Sequence, residues 1–404
     1  MQIPVFLPIL LASDINVYSM ARAFHEAYNK RSLVIARSPA GPIDHSKILD
    51  LIVVENLDET DAFLETVEQV AKEHAGKTLL LIGCADHYVR LIVENKERLS
   101  RNFVLPYAPK EVLDRFTLKQ NFYQLCDQYG LDYAKMYVYK KGTPLDFELD
   151  LSFPVVLKPS DTVSYNAHAF PGQNKVYFVA DRARLNELLQ TIYGHGYDQD
   201  MIIQEEVPGH DSQMYDLHIY AGRDKKVKLM NMGNVLLEEH TPKGFGSNAA
   251  TLVSYHPEFM DKIRLMLEDI GFQGFCDCDI KLDPRDGKFK MFEINIRQGR
   301  SHYRVTGGGD NLATYLVDDY LLDKPLELKM VKDDHFWHVV PLGVVYKYVN
   351  DKQKVKKIKQ LVREGKTSTS LFYKKDMSFR RRLYLFLRDL NHFRKYKRHY
   401  RHKV

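Results

Sequence analysis

Short apolar runs alternate with helical patterns in the N-terminal part of the chain, and this rhythm constrains the fold most. The runs are Val5 to Leu11, Leu33 to Ala36, Leu51 to Val54 and Leu79 to Cys84. Strands that alternate with helices are typical of βαβ units in a parallel sheet. Ligands bind beyond the carboxyl ends of such strands. The segments Ala12 to Asn16 and Gly83 to His87 are therefore candidate sites, although plain turns with helix N-caps use the same residues.

Composition and cysteine usage indicate an ordinary globular protein in a reducing compartment. The 404 residues are 45% hydrophobic and 27% charged, which suits a folded chain of about two or three domains. The four cysteines, Cys84, Cys126, Cys276 and Cys278, lack zinc-type spacing, so we expect buried thiols. The apolar start has two prolines and no basic leader, which favours a strand over a signal peptide. No window reaches the roughly 18 apolar residues of a membrane span, and we expect a cytoplasmic protein.

The middle of the chain predicts a helix and then a compact α+β unit. The helix runs from Leu113 to Tyr129 and is closed by Gly130. The α+β unit consists of strands Pro154 to Lys158, Lys175 to Ala180 and Met201 to Glu205, a polar loop from Pro159 to Asn174 and a helix from Asp181 to Tyr193.

A predicted β-hairpin between residues 274 and 300 is the most informative segment. From Phe275 to Leu282, alternation puts one set on a core face, Cys276, Cys278, Ile280 and Leu282, and a second set on a polar face, Asp277, Asp279 and Lys281. Asp283 to Gly287 supplies the turn. On the returning strand, Phe292, Ile294 and Ile296 are expected in the core, with Met291, Glu293, Asn295 and Arg297 on the polar face.

A short hairpin loop brings Asp279 within a residue of being opposite Glu293, with Asn295 close by. Two carboxylates and an amide oxygen are hard ligands that suit magnesium. Acidic side chains also occur on the solvated faces of hairpins. Periodicity alone leaves both interpretations open.

With these motifs in order, the chain resembles the ATP-grasp family of carboxylate–amine ligases. Lys119 in DRFTLKQNFYQLCDQYGL and Lys158 in FPVVLKPS stand where the family has two lysines that reach ATP phosphates. The segment MIIQEEVPGHD matches the adenine-contacting hinge. The family's Asp, its E-x-N on the next strand and an Arg two residues on match Asp279, Glu293, Asn295 and Arg297.

The resemblance implies the fold and the ligand roles. The expected architecture is α/β and α+β: a Rossmann-like pre-ATP-grasp domain at 1–110, an ATP-grasp domain at 111–345 with a lid at about 155–211, and a helical tail at 346–404. ATP and Mg2+ are the implied cofactors. Gln204 would face the adenine, Glu205 and Val207 would offer their backbone, Asp211 would hold the ribose, and Asp279, Glu293 and Asn295 would bind Mg2+. The loop after Lys158 lacks the family's glycines, so its hydroxyls and Asn166 or His168 are the expected replacements.

The implied chemistry is activation of a carboxylate by the γ-phosphoryl group of ATP, followed by attack of an amine on the acyl phosphate. Arg297 and Lys158 are the predicted catalytic residues, because their charges suit phosphoryl transfer. Arg300, Ser301 and Arg304 are expected to bind the acid, although a basic loop with a glycine turn has the same composition.

Within the family, the segment LASDINVYSMARAFHEAYNK and the basic tail look most like the D-aspartate ligases. That likeness implies that D-aspartate is joined to the lysine side chain of a peptidoglycan precursor, with Asp14, Asn16 and Arg22 near the substrate cleft. Another amino-acid or dipeptide ligase would keep the same ATP and metal residues. A nucleotide-switched binding protein that acts through its tail is a further alternative.

The tail carries a strong positive charge. From Lys347 to Val404 there are 20 Lys and Arg against four acids, a balance of +16 in a chain of +5, which leaves −11 for the rest. Apolar residues recur at helical spacing among these charges, namely Phe379, Leu383, Phe386, Leu387, Leu390 and Phe393. This pattern fits a helix docked by its apolar stripe, an anionic membrane surface or, less well, a nucleic acid. The oligomeric state is not predicted.

Overall fold

The computed structural model describes residues 4–117, 119–160, 162–242 and 244–400. The N-terminal strands are β1 (Phe6–Leu11), β2 (Ser32–Ala36), β3 (Leu49–Val53), β4 (Thr78–Gly83) and β5 (Phe103–Val104), and the helices are α1 (Ile15–Tyr28), α2 (Thr60–Glu73), α3 (Asp86–Glu94) and α4 (Lys96–Leu99). All five strands pair in parallel in the order β3-β2-β1-β4-β5. The predicted Rossmann-like domain is confirmed.

A four-stranded sheet follows and carries its own small core. Its elements and the helices before it are α5 (Lys110–Thr117), α6 (Lys119–Gln128), β6 (Met136–Tyr139), β7 (Val155–Pro159), α7 (Thr162–Ala167), β8 (Tyr177–Val179), α8 (Arg182–Gly194) and β9 (Met201–Glu205). The strands are antiparallel in the order β6-β9-β7-β8. We placed the start of this unit near residue 155, but β6 pairs with β9, so the sheet begins at Met136. The predicted polar loop also contains α7.

An eight-stranded sheet forms the C-terminal half. Its elements are β10 (Met214–Ala221), β11 (Val227–Glu239), β12 (Ser247–Val253), α9 (Pro257–Asp269), β13 (Gly274–Leu282), β14 (Phe289–Asn295), α10 (Tyr303–Gly307), α11 (Leu312–Tyr320), β15 (Lys329–Met330), β16 (Phe336–His338), α12 (Leu342–Tyr348), α13 (Lys352–Arg363), β17 (Thr367–Thr369) and α14 (Phe379–His399), with 3-10 turns at Asp211–Gln213 and Lys374–Asp376. The order is β14-β13-β10-β11-β12-β16-β17, and β15 pairs with β11.

The expected boundary at residue 346 is also corrected by the structure. The segment from residue 346 was expected to be a tail, but β17 pairs in parallel with β16 and so belongs to the sheet. One continuous hydrophobic core joins the Rossmann-like sheet, the eight-stranded sheet and α14. All four cysteines are buried and free, as predicted.

The last helix, α14, docks by a face that the sequence pattern did not indicate. Arg381, Leu385, His392 and Tyr396 are buried against the body, and Arg381 donates to the carbonyl oxygens of Pro42 (2.9 Å) and Asp44 (3.2 Å). The six apolar residues of the predicted stripe are exposed instead. The interpretation in which this stripe packs on the body was therefore wrong. No helix in the described residues is long and apolar enough to cross a membrane.

Candidate active site

The β13–β14 hairpin places its polar side chains as predicted. Asp279 pairs directly with Glu293, and Asp277 pairs with Asn295 in the antiparallel ladder. The Asn295 Nδ2 donates to Asp279 Oδ2 over 3.2 Å. Two carboxylates and an amide therefore meet on one face of the hairpin.

One detail of the hairpin differs from the prediction. The ladder shifts after Asp279, so that Ile280 pairs with Met291 and Phe292 becomes an extra residue. Met291 is fully buried, whereas Phe292 is half-buried. Strict alternation predicts the reverse, with Phe292 in the core and Met291 on the polar face. The prediction fails because a bulge shifts the register by one residue and so exchanges the two faces of the strand.

The acidic pair fits a cation. Burial raises the pKa of Asp279 well above its ordinary value, and the neighbouring carboxylates of Glu293 and Asp277 raise it further. A divalent cation held between these oxygens would remove the repulsion. In the described part of the chain no group of three His, Cys, Asp or Glu side chains is poised to hold a metal ion. The amide oxygen of Asn295 would therefore be the third protein ligand, with water and phosphate oxygens completing a magnesium shell.

Arg297 lies beside this pair and is fixed by carboxylates on both sides. Its Nε donates to Asp86 Oδ2 at 3.1 Å, and its Nη1 lies 3.7 Å from Asp277 Oδ2. Although burial opposes its charge, the Asp86 and Asp277 carboxylates raise the pKa of Arg297 above its ordinary value. Asp86 begins α3 after β4, in the segment predicted to bind ligand. The guanidinium is thus held charged where the N-terminal domain meets the hairpin.

The turn between β1 and α1 also lies beside the segment that contains Arg297. Asn16 Nδ2 donates to the carbonyl oxygens of Cys84 (3.4 Å) and Gln298 (3.3 Å). Asp14 caps α1 by accepting from the Asn16 backbone N–H at 3.0 Å, and its carboxylate is exposed to the cleft. Both residues lie next to the Arg297 segment.

Arg22, which the resemblance placed near the cleft, has a different role. It is buried in α1 and donates to the carbonyl oxygens of Thr369 (2.7 Å) and Ser370 (2.8 Å). Its guanidinium also stacks over the Tyr303 ring at 4.2 Å. Arg22 therefore fastens the segment after β17 to the N-terminal domain.

Of the three residues expected to bind the acid, only Arg300 faces a cavity. Ser301 and Arg304 are fully buried. The Ser301 hydroxyl donates to Asp216, and Arg304 Nη2 lies 2.7 Å from Asp216 Oδ1. The expectation that Ser301 and Arg304 contact substrate is therefore corrected. Both side chains are buried, and their polar groups already interact with Asp216 on β10.

These contacts belong to a buried network that the sequence reasoning missed. His218 Nε2 lies 2.9 Å from Ser301 Oγ, and its Nδ1 lies 2.8 Å from Asp277 Oδ1. The network thus runs from Arg304 through Asp216 and His218 to Asp277, which faces Arg297. The alternation of Asp216 and His218 with Leu217 and Ile219 on β10 was the available signal, since it places two ionisable groups on one face of a central strand.

The residues that the resemblance assigns to ATP lie on α6, β7 and β9 and in the segment that follows β9. Lys158 is half-buried at the end of β7, and the side chain of Lys119 lies outside the described part. Gln204 is buried, with Nε2 donating to the Ala134 carbonyl oxygen at 3.4 Å. The Glu205 carboxylate accepts from Arg285 at 2.7 Å.

The hinge after β9 lines a cavity of about 510 Å³, together with Phe178, Lys281 and Phe245. Lys281 Nζ donates to the Val207 carbonyl oxygen at 2.5 Å. Asp211 is buried and accepts from the Glu238 backbone N–H (3.0 Å), and its Oδ2 lies 2.8 Å from His240 Nε2. Lys281 and His240, which line this space, thus engage the polar groups of Val207 and Asp211, so nucleotide contact with either residue would require an exchange of partners.

Comparisons with known proteins show the family and the fold of the chain. No family model matches the chain. The D-aspartate ligase of Enterococcus faecium is 36% identical over 406 residues, covering 97% of this chain and 96% of the relative. An N5-carboxyaminoimidazole ribonucleotide synthetase bound to ADP has the same fold, with a TM-score of 0.61, 12% identity and coverage of 99% and 100%. An L-amino acid ligase from Bacillus licheniformis covers 81% of this chain and 76% of its own, with a TM-score of 0.54 and 15% identity. The chain belongs to the D-aspartate ligase family and is an ATP-dependent carboxylate–amine ligase of the ATP-grasp fold.

Proposed function

We propose that this enzyme joins the β-carboxylate of D-aspartate to the lysine side-chain amine of a peptidoglycan precursor, using ATP and Mg2+. The observation that carries the proposal is identity of 36% to a D-aspartate ligase over nearly the whole of both chains. Because the match spans the N-terminal cleft and the C-terminal helix as well as the ATP-grasp core, it supports a shared acid substrate. The lysine amine of the precursor and a cytoplasmic site of action are the finer parts of this proposal.

The chemistry proceeds in two steps. A carboxylate oxygen attacks the γ-phosphorus of ATP, ADP leaves, and an acyl phosphate forms. The amine then attacks the carbonyl carbon, a proton leaves the nitrogen, and phosphate departs with the oxygen that came from the carboxylate. Bound Mg2+ supplies charge neutralisation on the phosphate oxygens.

Arg297 is the residue best placed to stabilise the reacting centre. Its guanidinium is fixed in advance between Asp86 and Asp277, so little reorganisation is needed when negative charge develops. Asp279, Glu293 and Asn295 would hold Mg2+ beside it, and Lys158 would contact the transferred phosphoryl group. Arg300 would bind the acid.

Phosphate release across D- and L-amino acids, with and without a lysine-containing muramyl pentapeptide, tests the proposal. We expect release only with D-aspartate and peptide together. Glu293→Gln should lower the rate roughly 100-fold or more, because a metal ligand is lost. The exposed Glu258→Gln on α9 is the matched control. Release with a different acid would identify another amino-acid ligase instead.

A second proposal concerns the exposed stripe on α14. Phe379 is 81% exposed and Phe386 59%, and exposed basic residues flank the stripe, namely Arg380, Arg382, Arg394, Lys397 and Arg398. An apolar face bordered by cations suits the interface of an anionic membrane. We propose that the exposed face of α14 binds the enzyme to the surface of an anionic membrane.

A further inference from the structure

A cavity of about 510 Å³ lies beside the proposed reaction centre, and α14 forms one of its walls. The opposite wall consists of Asp14 at the first strand–helix turn and Arg300 after the hairpin. Leu387, Arg388 and Asn391 line it from α14. A helix at the far end of the sequence thus contributes side chains to the cleft.

Arg300 enters this cavity with unused hydrogen-bonding capacity. Its Nε is buried and has no hydrogen-bond partner among the described residues. Its Nη2 lies 3.7 Å from Glu239 Oε2, a distance too long for a hydrogen bond. Glu239 is shared, because Lys395 Nζ lies 3.2 Å from its other oxygen. The Arg300 side chain is 31% exposed and only distantly paired, so an anionic ligand in the cavity would gain a charge-assisted hydrogen bond from it.

Arg388 faces the same space. One of its nitrogens, Nη1, donates to the Val339 carbonyl oxygen at 2.8 Å, and its contact with Asp389 is 3.8 Å long. Burial lowers the pKa of Arg388, and the nearby charge of Arg300 lowers it further. Two guanidinium groups held close together repel one another unless an anion lies between them.

Two carboxylates line the cavity, Glu239 and Asp14, and because Arg300 and Lys395 already lie beside Glu239, Asp14 is the one left for an ammonium group. Asp14 is exposed to the cleft and lies close enough to interact electrostatically with both Arg300 and Arg297. The two arginines and this aspartate together match the head group of an amino acid, which has one carboxylate and one ammonium.

We propose that α14 completes the amino-acid pocket: Arg388 and Arg300 clamp the carboxylate of the substrate that is not activated, and Asp14 accepts its ammonium group. This inference rests on the proposed function, and it assigns α14 a part in substrate recognition. The reacting carboxylate then extends from the head group towards Arg297.

Arg388→Gln tests the clamp, with the exposed Arg382→Gln on the same helix as the matched control. Phosphate release is measured against D-aspartate and ATP concentrations at saturating peptide. We expect KM for D-aspartate to rise roughly tenfold or more, because a charge-assisted hydrogen bond is lost. KM for ATP should change less than about twofold, since Arg388 does not line the cavity at the hinge after β9. Arg388→Lys keeps the charge and most of the aliphatic side chain, so it should fold even if Arg388→Gln does not. It should raise KM for D-aspartate several-fold, because an ammonium group cannot make the two parallel hydrogen bonds of a guanidinium.

The outcomes separate this inference from the proposed function. If the wild type releases no phosphate with D-aspartate, the proposed function fails. If the wild type is active and both Arg388 variants match Arg382→Gln in KM for D-aspartate, the clamp is excluded while the proposed function stands. An equal rise in KM for ATP and D-aspartate would likewise overturn the clamp, because it would indicate a general disturbance.

Discussion

The Nδ1 atom of His218 lies 2.8 Å from Oδ1 of Asp277, and this pair joins the buried charge network to the candidate catalytic arginine. Asp277 faces Arg297 at 3.7 Å on its other oxygen. Both members of the pair are buried. The position of Arg297 therefore depends on side chains that never reach substrate.

Replacement of His218 should affect both stability and catalysis. His218→Gln leaves the buried polar atoms of Asp216 and Asp277 without their shared partner, and each buried polar group left without a hydrogen bond costs about 1 to 3 kcal/mol. We expect a loss of about 3 kcal/mol in the free energy of unfolding and a lower kcat. Denaturant unfolding and phosphate release measure the two effects. The exposed His87→Gln serves as control, and equal stability of the two variants would contradict the role of the network.

Gly299 permits the approach of the Arg297 segment to Asp277. A Cβ at this position would lie 2.0 Å from Asp277 Oδ2, whereas one at Gly194 on α8 would meet nothing within 4 Å. Gly299→Ala must therefore displace the carboxylate or the chain. We expect a cost of about 1 to 3 kcal/mol in stability and reduced phosphate release. Gly194→Ala should alter neither, and a Gly299→Ala enzyme with the same rate and stability as that control would argue against this packing.

Docking of α14 should weaken in mild acid. Burial lowers the pKa of His392 from 6.5 to about 3, with Arg388 adding to the effect. The unfolded chain takes up this proton below pH 6.5, whereas the folded protein does not until about pH 3. Stability contributed by His392 is therefore full above pH 6.5 and falls as the pH decreases.

At pH 5.5 the free energy of unfolding should be about 1 kcal/mol lower than at pH 7.5 because of His392 alone. Unfolding at both pH values compares the wild type with His392→Gln, in which this part of the pH dependence should vanish. His87→Gln should keep the full dependence of the wild type. If the His392→Gln variant lost as much stability in acid as the wild type, the neutral buried imidazole would be excluded as the cause.

The exposed stripe of α14 predicts binding to anionic vesicles. Leu383 and Phe386 are 49% and 59% exposed, and neither lines the amino-acid cavity. Leu383→Glu with Phe386→Glu should abolish sedimentation with phosphatidylglycerol vesicles while leaving phosphate release in solution unchanged. Leu265→Glu, at 42% exposure on α9, is the matched control. Unchanged sedimentation of the double variant, or no binding by the wild type, would contradict membrane contact.

Local periodicity predicted the elements on which the site is built. The apolar runs gave the parallel sheet, and alternation in the hairpin brought Asp279 opposite Glu293. Met291 was misplaced because a bulge depends on backbone pairing that alternation does not reveal.

The role of Arg304 and the docking face of α14 depend on partners that are distant in sequence. Arg304 looked like a substrate residue, yet Asp216 and Asn231 on other strands occupy its guanidinium. Helical spacing identified the apolar stripe of α14 but not the face that docks. That choice was decided by Arg381 and Tyr396, whose polar groups find acceptors on the body.

The central claim is that a carboxylate is activated as an acyl phosphate, and isotope transfer tests it most directly. The enzyme is supplied with ATP, Mg2+, the muramyl pentapeptide and D-aspartate labelled with 18O in both carboxylates, and the released phosphate is examined by mass spectrometry. We expect one 18O atom in each phosphate, because the acid oxygen that attacks phosphorus leaves with it. Phosphate that carries no 18O while the amide product forms would contradict the account.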